Sequence, residues 1–459
     1  MPSILGANTL SSGFNIANGC LFFNNTKMNR TNASTSTNRQ KGAFSTWIKK
    51  HVTSGTPGGL ITGYVDANNY SVIYFDSDHR LNYLETQSGS TAVYVRTTQL
   101  FKDPAAWMHV ALLIDSTQST AANRYKFYVN GSHITDLSAS TYGDQNLTLK
   151  IFAESTVLNL GEDTTGAPHY LHGTLCETLL VDGTTVAISD LGEFDEDSPT
   201  IWKPIDISTI SVGTNGFRLD YEDSSNLGND ATGGTDLSES NIVAIDQKTD
   251  TCTNSFATMN PLDNFYQGAT FSEGNCRVVT GSSPVTWNTS TFGLNSGKWY
   301  MEATIIDGGS GGSTLIGIAD RPTVSASQEL GGLATTYAYL SSGNFRTGDS
   351  NTSNSVSATD GDIIGVALDL DSGQNTISYY KNNTLIVAAQ NITAPVSGNY
   401  FIASGVWLDN DTGTTDHNFG NPVVAHSSAA SDANGYGSFE FAPPSGYYAI
   451  CTKNIAQYG

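Results

Sequence analysis

Residues 125–134 read Tyr-Lys-Phe-Tyr-Val-Asn-Gly-Ser-His-Ile and decide the fold class of the first half of the chain. Asn130-Gly131 separates two short β-type runs, and this dipeptide favours the type I′ turn because both central residues of that turn need a positive φ. The preceding run, residues 108–114 (Met-His-Val-Ala-Leu-Leu-Ile), is apolar and ends in large aliphatic side chains. Together these runs predict a β-hairpin that follows a further strand.

The same pattern recurs along the whole chain. Short segments rich in aromatic and β-branched side chains alternate with Gly, Asn, Asp and Ser turns, and no stretch shows convincing helical periodicity. Residues 377–386 repeat the hairpin signal with Asn382-Asn383 at the turn, since Asn tolerates the left-handed region best after Gly. We therefore predict an all-β protein with two β-sandwich (jelly-roll) domains in series, joined by a loop-rich linker.

The expected domain bounds follow from the polarity of the middle of the chain. We place the first sandwich at residues 1–222 and the second at residues 265–459. Residues 223–264 are mostly polar and rich in Gly, Asn and Asp, which predicts a linker with at most one or two short strands. Before it, residues 216–221 (Gly-Phe-Arg-Leu-Asp-Tyr) alternate cleanly and predict a closing strand of the first sandwich.

Charge and cysteine usage exclude several classes of protein. The 459 residues carry 21 Lys and Arg against 43 Asp and Glu, a formal net charge of −22. This balance disfavours binding to nucleic acid or to anionic lipid, because both need clustered basic residues. The chain shows no apolar run of membrane-spanning length and no secretory signal at its start, so we expect no membrane insertion. The 5 cysteines are odd in number and widely spaced, which favours free thiols in a reducing compartment.

Four segments of the first half resemble the laminin G-like branch of concanavalin A-type lectin sandwiches. They are residues 44–49 (Phe-Ser-Thr-Trp-Ile-Lys), 106–115 (with the Trp-Met-His-Val run), 125–131 and 171–177. The resemblance covers residues 1–222 and implies a two-sheet sandwich.

The second half resembles a SPRY domain, which is another two-sheet sandwich. The residues that carry this resemblance are 297–303 (Gly-Lys-Trp-Tyr-Met-Glu-Ala), 315–319, 360–369 with 377–382, and 418–420 (Asn-Phe-Gly). The chain departs from the family's pattern at Asn382-Asn383, where SPRY domains usually carry Asn-Gly.

The pairing of these two modules, together with the opening residues 3–9, resembles a type of virion protein found in tailed phages. The resemblance implies a non-enzymatic component of the phage virion. We expect a tail fibre or spike adhesin that recognises a host surface glycan or protein; the alternative is a capsid decoration protein or head fibre, because the first module begins almost at residue 1. Other virion proteins are the expected partners, and the analogy suggests a homo-oligomer, a trimer.

Enzyme chemistry finds little support in the sequence. Retaining glycosidases of the concanavalin A-type sandwich place carboxylates on alternate residues of one strand, because the reaction needs two carboxyl groups about 5 Å apart. Residues 193–197 (Glu-Phe-Asp-Glu-Asp) come closest, but Ser198 stands where the last acid is needed. We interpret this stretch as a solvated loop and expect no enzyme. His169 and His172 would face opposite sides of a strand, so we expect no shared zinc.

Trp407, Asp409 and Asp411 are the candidate ligand-binding residues. Trp407 precedes residues 409–413 (Asp-Asn-Asp-Thr-Gly), which resemble the opening of a calcium loop without the distal Glu of an EF-hand. Calcium at Asp409 and Asp411 is therefore a possible cofactor, and a plain β-turn is the alternative. By contrast, we expect Trp47, Trp107 and Trp299 to lie in the core.

Overall fold

The computed structural model describes residues 13–52, 58–166, 169–266, 268–281, 285–354, 356–408 and 411–459. The chain divides into two compact units, one that ends at Thr253 and one that holds Asn254–Gly459. Strands and turns make up nearly all of both units. The prediction of an all-β protein is confirmed.

The first unit consists of short antiparallel strands with three single-turn 3-10 helices, Ala121–Asn123, Ile188–Asp190 and Ala244–Asp246. Its strands are β1 (Gly19–Phe22), β2 (Lys27–Thr31), β3 (Lys41–Lys50), β4 (Gly58–Asp66), β5 (Asn69–Phe75), β6 (Leu81–Gln87), β7 (Ser90–Thr97), β8 (Trp107–Asp115), β9 (Tyr125–Val129), β10 (Ser132–His133), β11 (Leu137–Thr141), β12 (Val157–Leu160), β13 (Glu162–Asp163), β14 (His169–Tyr170), β15 (Gly173–Asp182), β16 (Glu193–Phe194), β17 (Trp202–Lys203), β18 (Phe217–Leu219), β19 (Ser238–Ser240) and β20 (Gln247–Lys248).

Two large sheets form the first sandwich. One has the order β10-β9-β8-β3-β15-β1-β20 with β18 added on β15, and the other has the order β11-β7-β6-β5-β4-β12-β2-β19. Alternate residues of both sheets point into a shared apolar core, for example Phe44 and Val110 from the first sheet and Ile73 and Val95 from the second. The predicted hairpin is present between β9 and β10.

The turn between β9 and β10 and the closing strand form as predicted. Asn130 and Gly131 have φ values of 46° and 73°, as a turn with two left-handed residues requires. The predicted closing strand is present as β18, which pairs with β15. Trp47 and Trp107 are buried as expected, but they pack with Trp202 in a separate cluster and not in the main core.

The stretch 223–264, expected to be a linker, is instead built into the two units. Strands β19 and β20 pair with β2 and β1, and Leu227, Leu237 and Ile242 are buried in the first core. From Asn254 onward the chain belongs to the second unit. The sequence does not reveal this, because Leu227 and Leu237 each stand alone among polar residues and the apolar run at residues 242–245 is short.

The second unit has the same kind of architecture and ends in one short helix, α1 (Thr452–Tyr458). Its strands are β21 (Thr270–Ser272), β22 (Arg277–Val279), β23 (Trp287–Thr289), β24 (Lys298–Asp307), β25 (Thr314–Ala319), β26 (Thr336–Leu340), β27 (Asn344–Thr347), β28 (Ser350–Ser353), β29 (Ile363–Asp369), β30 (Thr376–Lys381), β31 (Thr384–Asn391), β32 (Phe401–Val406), β33 (Thr414–Asn418) and β34 (Tyr448–Ala449).

Two sheets again enclose a core. Their orders are β21-β22-β33-β24-β29-β30-β31, with β34 parallel to β24, and β23-β32-β25-β26-β27-β28. Trp299 is buried in the core between them, as predicted. The turn of the second predicted hairpin holds Asn382 and Asn383 at φ values of 45° and 67°, so Asn-Asn supplies the left-handed pair that Asn-Gly supplies elsewhere.

All five cysteines are buried thiols outside any disulfide, as their odd number and wide spacing predicted. In the part of the chain that the structure describes, no helix has the length and apolar character needed to span a bilayer.

Candidate functional sites

An open cleft of about 830 Å³ lies in the first unit. We call it the Arg30 cleft. Three segments form its walls: residues 30–33 at the end of β2, residues 208–216 before β18, and residues 231–235 in the stretch expected to be a linker. The cleft is thus assembled from parts of the chain that are distant in sequence.

The side chain of Arg30 fastens two of these walls together. Its Nη2 donates hydrogen bonds to the backbone oxygens of Asn215 at 2.6 Å and Gly216 at 2.8 Å. Its Nη1 donates to the backbone oxygen of Thr235 at 2.6 Å and to Asp230 Oδ2 at 3.3 Å. Only 8% of the Arg30 side chain and none of the Asp230 side chain is exposed. The planar fork of a guanidinium suits this geometry, because it directs several donors into one plane.

The buried carboxylates of Asp230 and Asp182 also accept hydrogen bonds from the segments around the cleft. Asp230 Oδ1 accepts hydrogen bonds from the backbone nitrogens of Arg218 and Thr232 and from the Thr232 hydroxyl. Asp182 Oδ2 accepts a hydrogen bond of 2.9 Å from the backbone nitrogen of Asn215. The side-chain amide of Asn215 donates a hydrogen bond of 2.8 Å from Nδ2 to the backbone oxygen of Ser34. This bond connects residues 208–216 to the chain beyond β2. The cleft is therefore preorganised by its own hydrogen bonds.

The lining of the cleft is polar and nearly uncharged. Hydroxyl side chains, glycines and backbone groups dominate it, and Arg30 is the charged residue among the lining residues that the structure describes. The Arg30 guanidinium already donates hydrogen bonds to four protein oxygens, so its role is to hold the walls of the cleft in place. The hydroxyl-bearing lining residues are Thr31, Ser208, Ser211, Thr214, Thr232 and Thr235. Among the described residues that line the cleft, none carries a carboxylate, imidazole or thiol, so these residues offer hydrogen bonds but no acid–base group.

The structure brings Trp407 and Asp411 to one loop of the second unit, residues 308–313. Asp411 accepts hydrogen bonds from the backbone nitrogens of Ser310 and Thr412 and from the Ser313 hydroxyl. Burial raises the pKa of Asp411, but these hydrogen bonds outweigh it and lower the pKa below its usual value. The backbone nitrogen of Trp407 donates to Ser313 at 2.9 Å. Asp411 thus anchors the loop with both carboxylate oxygens.

The indole of Trp407 is half-buried and already has a partner. The Arg346 guanidinium lies 5.5 Å from the centre of the Trp407 ring, and Arg346 also pairs with Glu329 and Asp349. Asp409 lies outside the described residues. Among those that are described, no group of three His, Cys, Asp or Glu side chains could hold a metal ion. Ligand or calcium binding at Trp407, Asp409 and Asp411 stays a prediction.

A lysine forms ion pairs with two acidic side chains of residues 193–197. Lys203 Nζ lies 3.2 Å from Glu193 Oε1 and 3.6 Å from Asp195 Oδ2. Asp195 also accepts hydrogen bonds from the backbone nitrogens of Asp197 and Ser198, which closes a turn. These carboxylates therefore shape an exposed hairpin.

A buried serine–histidine contact in the first unit has the wrong tautomer for nucleophilic catalysis. Trp202 Nε1 donates to His109 Nδ1 at 3.1 Å, so the imidazole proton lies on Nε2, which contacts Ser45 Oγ at 2.8 Å. Burial lowers the pKa of His109 to about 3. A neutral imidazole that donates to the hydroxyl cannot remove its proton. This contact is structural.

Comparison with known proteins supports one assignment for each unit. Residues 24–185 match the laminin G-like model of the concanavalin A-like lectin/glucanases superfamily, and residues 298–414 match the SPRY domain model. No curated protein matches the chain.

Three solved structures are similar to parts of the chain. A putative carbohydrate binding protein from Bacteroides ovatus is 16% identical over 50% of this chain and 60% of its own, with a TM-score of 0.32. The SPRY domain of human HERC1 is 18% identical over 35% and 96%, with a TM-score of 0.29. A pentraxin from Limulus polyphemus is 14% identical over 38% and 81%, with a TM-score of 0.28. At such low TM-scores these likenesses support no functional argument. The chain contains a concanavalin A-like laminin G-like domain at residues 24–185 and a SPRY domain at residues 298–414.

Proposed function

We propose that this protein is a non-enzymatic adhesin of a tailed-phage virion, a tail fibre or spike component that binds an uncharged saccharide of the host surface in the Arg30 cleft. The phage assignment rests on the resemblance of the module order and of residues 3–9 to such virion proteins. The binding role draws support from the two domain types. Other virion proteins and further copies of the chain, as a trimer, are the proposed partners.

The single observation that carries the proposal is the chemistry of the Arg30 cleft. A saccharide presents many hydroxyl groups, each of which donates and accepts hydrogen bonds. The hydroxyl groups of Ser211, Thr214 and Thr235, which line the cleft, offer partners of both kinds. Because the charges of Arg30 and Asp230 are paired with each other within the protein, a neutral ligand meets no unpaired charge from them. Preorganised walls also reduce the entropic cost of binding.

The charged side chains of the acidic hairpin and of the Arg30 cleft support a binding role without catalysis. Glu193 and Asp195 pair with Lys203, and the described residues of the Arg30 cleft include no general acid or base. Glycoside hydrolysis needs two carboxyl groups that flank the scissile bond. The protein is thus proposed to hold its ligand and leave it intact.

The proposal is tested by exposing the purified full chain to an array of bacterial surface saccharides. We expect retention of uncharged glycans, with no cleavage products in the eluate. Capture of anionic glycans alone would contradict the proposed chemistry of the cleft, and released fragments would contradict the absence of catalysis.

The position in the particle is a separate test. Antibody labelling of purified virions should place the protein at the tail tip. Label spread over the head would favour the alternative, a capsid decoration protein, and absence from the particle would contradict both virion roles.

A further inference from the structure

A lysine and an aspartate lie in contact in the interior of the first unit. Lys49, on β3, places Nζ 2.9 Å from Oδ2 of Asp250, which lies 201 residues later in the chain. Only 1% of the Lys49 side chain and 3% of the Asp250 side chain is exposed. Ion pairs this deeply buried lose most of their hydration and contribute little net stability to the fold. A stabilising ion pair is therefore a poor explanation for why Lys49 and Asp250 are buried together.

An aromatic side chain contacts the pair. Trp107 stands opposite Lys49 in the register of β3 and β8, and its Nε1 donates to Oδ1 of Asp250 at 3.1 Å. Trp107 belongs to a buried cluster with Trp47, Trp202 and Cys252. Each carboxylate oxygen of Asp250 thus has its own donor: Lys49 at Oδ2 and Trp107 at Oδ1.

We propose that Lys49 and Asp250 condense into an intramolecular amide bond, a covalent cross-link formed by the protein on itself. One proton passes from the Lys49 ammonium to Oδ2, which leaves a neutral amine beside a neutral carboxylic acid. The nitrogen lone pair attacks Cγ of Asp250, and the Nζ–Cγ bond forms. The Cγ–Oδ2 bond then breaks, and Oδ2 leaves as water with a second proton from the nitrogen. Nothing is oxidised or reduced, and no co-reactant is needed.

The surroundings favour each part of this step. The short contact between Nζ of Lys49 and Oδ2 of Asp250 gives the proton a direct path from the nitrogen to the oxygen that leaves. The negative charge of the tetrahedral intermediate develops on Oδ1, where the indole N–H of Trp107 already points. Burial also shields the product from hydrolysis. The two reacting groups are held within hydrogen-bond distance, which makes the reaction effectively unimolecular.

The cross-link would fasten the end of the first unit to one of its central strands. Asp250 lies four residues before Asn254, where the second unit begins, and β3 is paired on both sides, with β8 and β15. A covalent bond between points so far apart in sequence strongly restricts the unfolded chain. Such a bond would supply the resistance to unfolding that disulfides give other proteins, while the five cysteines here form no disulfide.

Intact mass spectrometry of the denatured full chain tests the proposal. We expect a mass lower than that of the sequence by one water molecule, about 18 Da. Trypsin should then release a branched peptide that joins residues 42–50 to residues 249–277, because an acylated Lys49 resists cleavage and no other Lys or Arg interrupts these segments. A wild-type chain that keeps the full sequence mass after prolonged incubation overturns the proposal.

Lys49→Arg is the matched variant, because arginine keeps the positive charge and the ion pair but cannot form this amide. We expect Lys49→Arg to show the full mass and to unfold at a lower temperature than the wild type. Loss of water that persists in Lys49→Arg would place the dehydration elsewhere and overturn the assignment. The wild-type measurement decides the question even if this variant fails to fold, and it is independent of saccharide binding.

Discussion

The guanidinium of Arg30 donates a hydrogen bond of 2.6 Å to the backbone oxygen of Asn215, a residue 185 positions later in the chain. The same side chain reaches Thr235 at 2.6 Å. One buried cation therefore sets the spacing between two walls of the cleft. We therefore expect ligand binding in the Arg30 cleft and the stability of the first unit to depend on the same side chain.

Replacing Arg30 by Met should destabilise the first unit by about 3–5 kcal/mol, because Asp230 would remain buried without its cation. Saccharide binding should be lost as well, since both walls lose their common anchor. Urea unfolding of the full chain gives the change in free energy. Arg39→Met serves as the control, because Arg39 bonds to one backbone oxygen, that of Leu149, and should cost only about 1–2 kcal/mol. Equal effects of the two variants would contradict the role of Arg30.

Lys50 should make the first unit more stable as the pH rises above 7. Its Nζ contacts His79 Nδ1 at 3.0 Å and the backbone oxygen of Phe101, and it lies 4.7 Å from the centre of the Phe75 ring. Burial, reinforced by Lys102, lowers the pKa of Lys50 to about 7. Between pH 7 and about 10.4 the unfolded chain holds a proton that the folded chain has released, so stability rises by up to about 1.4 kcal/mol per pH unit.

The measurement is the free energy of unfolding in urea from pH 7 to 10. Lys50→Met should remove the slope that this lysine contributes, and Lys126→Met is the control. A slope that survives in Lys50→Met would mean that another group is responsible.

Glu85 should act in the opposite direction and at lower pH. Burial raises the pKa of Glu85 to about 7, although the Ser71 hydroxyl, the Gln87 amide and the backbone nitrogen of Lys150 donate to it and oppose the shift. Between about pH 4.3 and 7 the folded chain binds a proton that the unfolded chain lacks, so stability falls as the pH rises.

Glu85→Gln should flatten this part of the stability profile, because glutamine carries no titrating proton. The exposed Glu154 offers the control Glu154→Gln, which should leave the profile as it is. Identical profiles for the wild type and Glu85→Gln would show that Glu85 does not titrate in this window.

Asp411→Ala should destabilise the second unit by about 1–3 kcal/mol, because it leaves the donors of Ser310 and Ser313 without their acceptor. Since both oxygens of Asp411 already accept hydrogen bonds, we expect added calcium or a chelator to leave the melting temperature of the wild type unchanged. A calcium-dependent rise that disappears in Asp411→Ala would instead establish the cation site predicted from residues 409–413.

Local signals predicted the fold well, because hairpin turns and strand composition act over a few residues. Asn130-Gly131 and Asn382-Asn383 adopt the left-handed backbone that their side chains favour. The Arg30 cleft escaped prediction because the contacts that build it are to backbone oxygens far away in sequence, which no residue pattern records. Residues 231–235 look like a linker for the same reason: their structure is imposed by Asp230 and Arg30.

Saccharide binding by Thr214→Arg, compared with the wild-type chain, tests the central claim most directly. Thr214 is exposed and lines the cleft, so a long charged side chain there should fill it without disturbing the core. Thr185→Arg makes the same substitution at an exposed position that does not line the cleft. We expect retention on the saccharide array to be lost in Thr214→Arg and kept in Thr185→Arg. Equal retention of both variants would contradict binding in the Arg30 cleft.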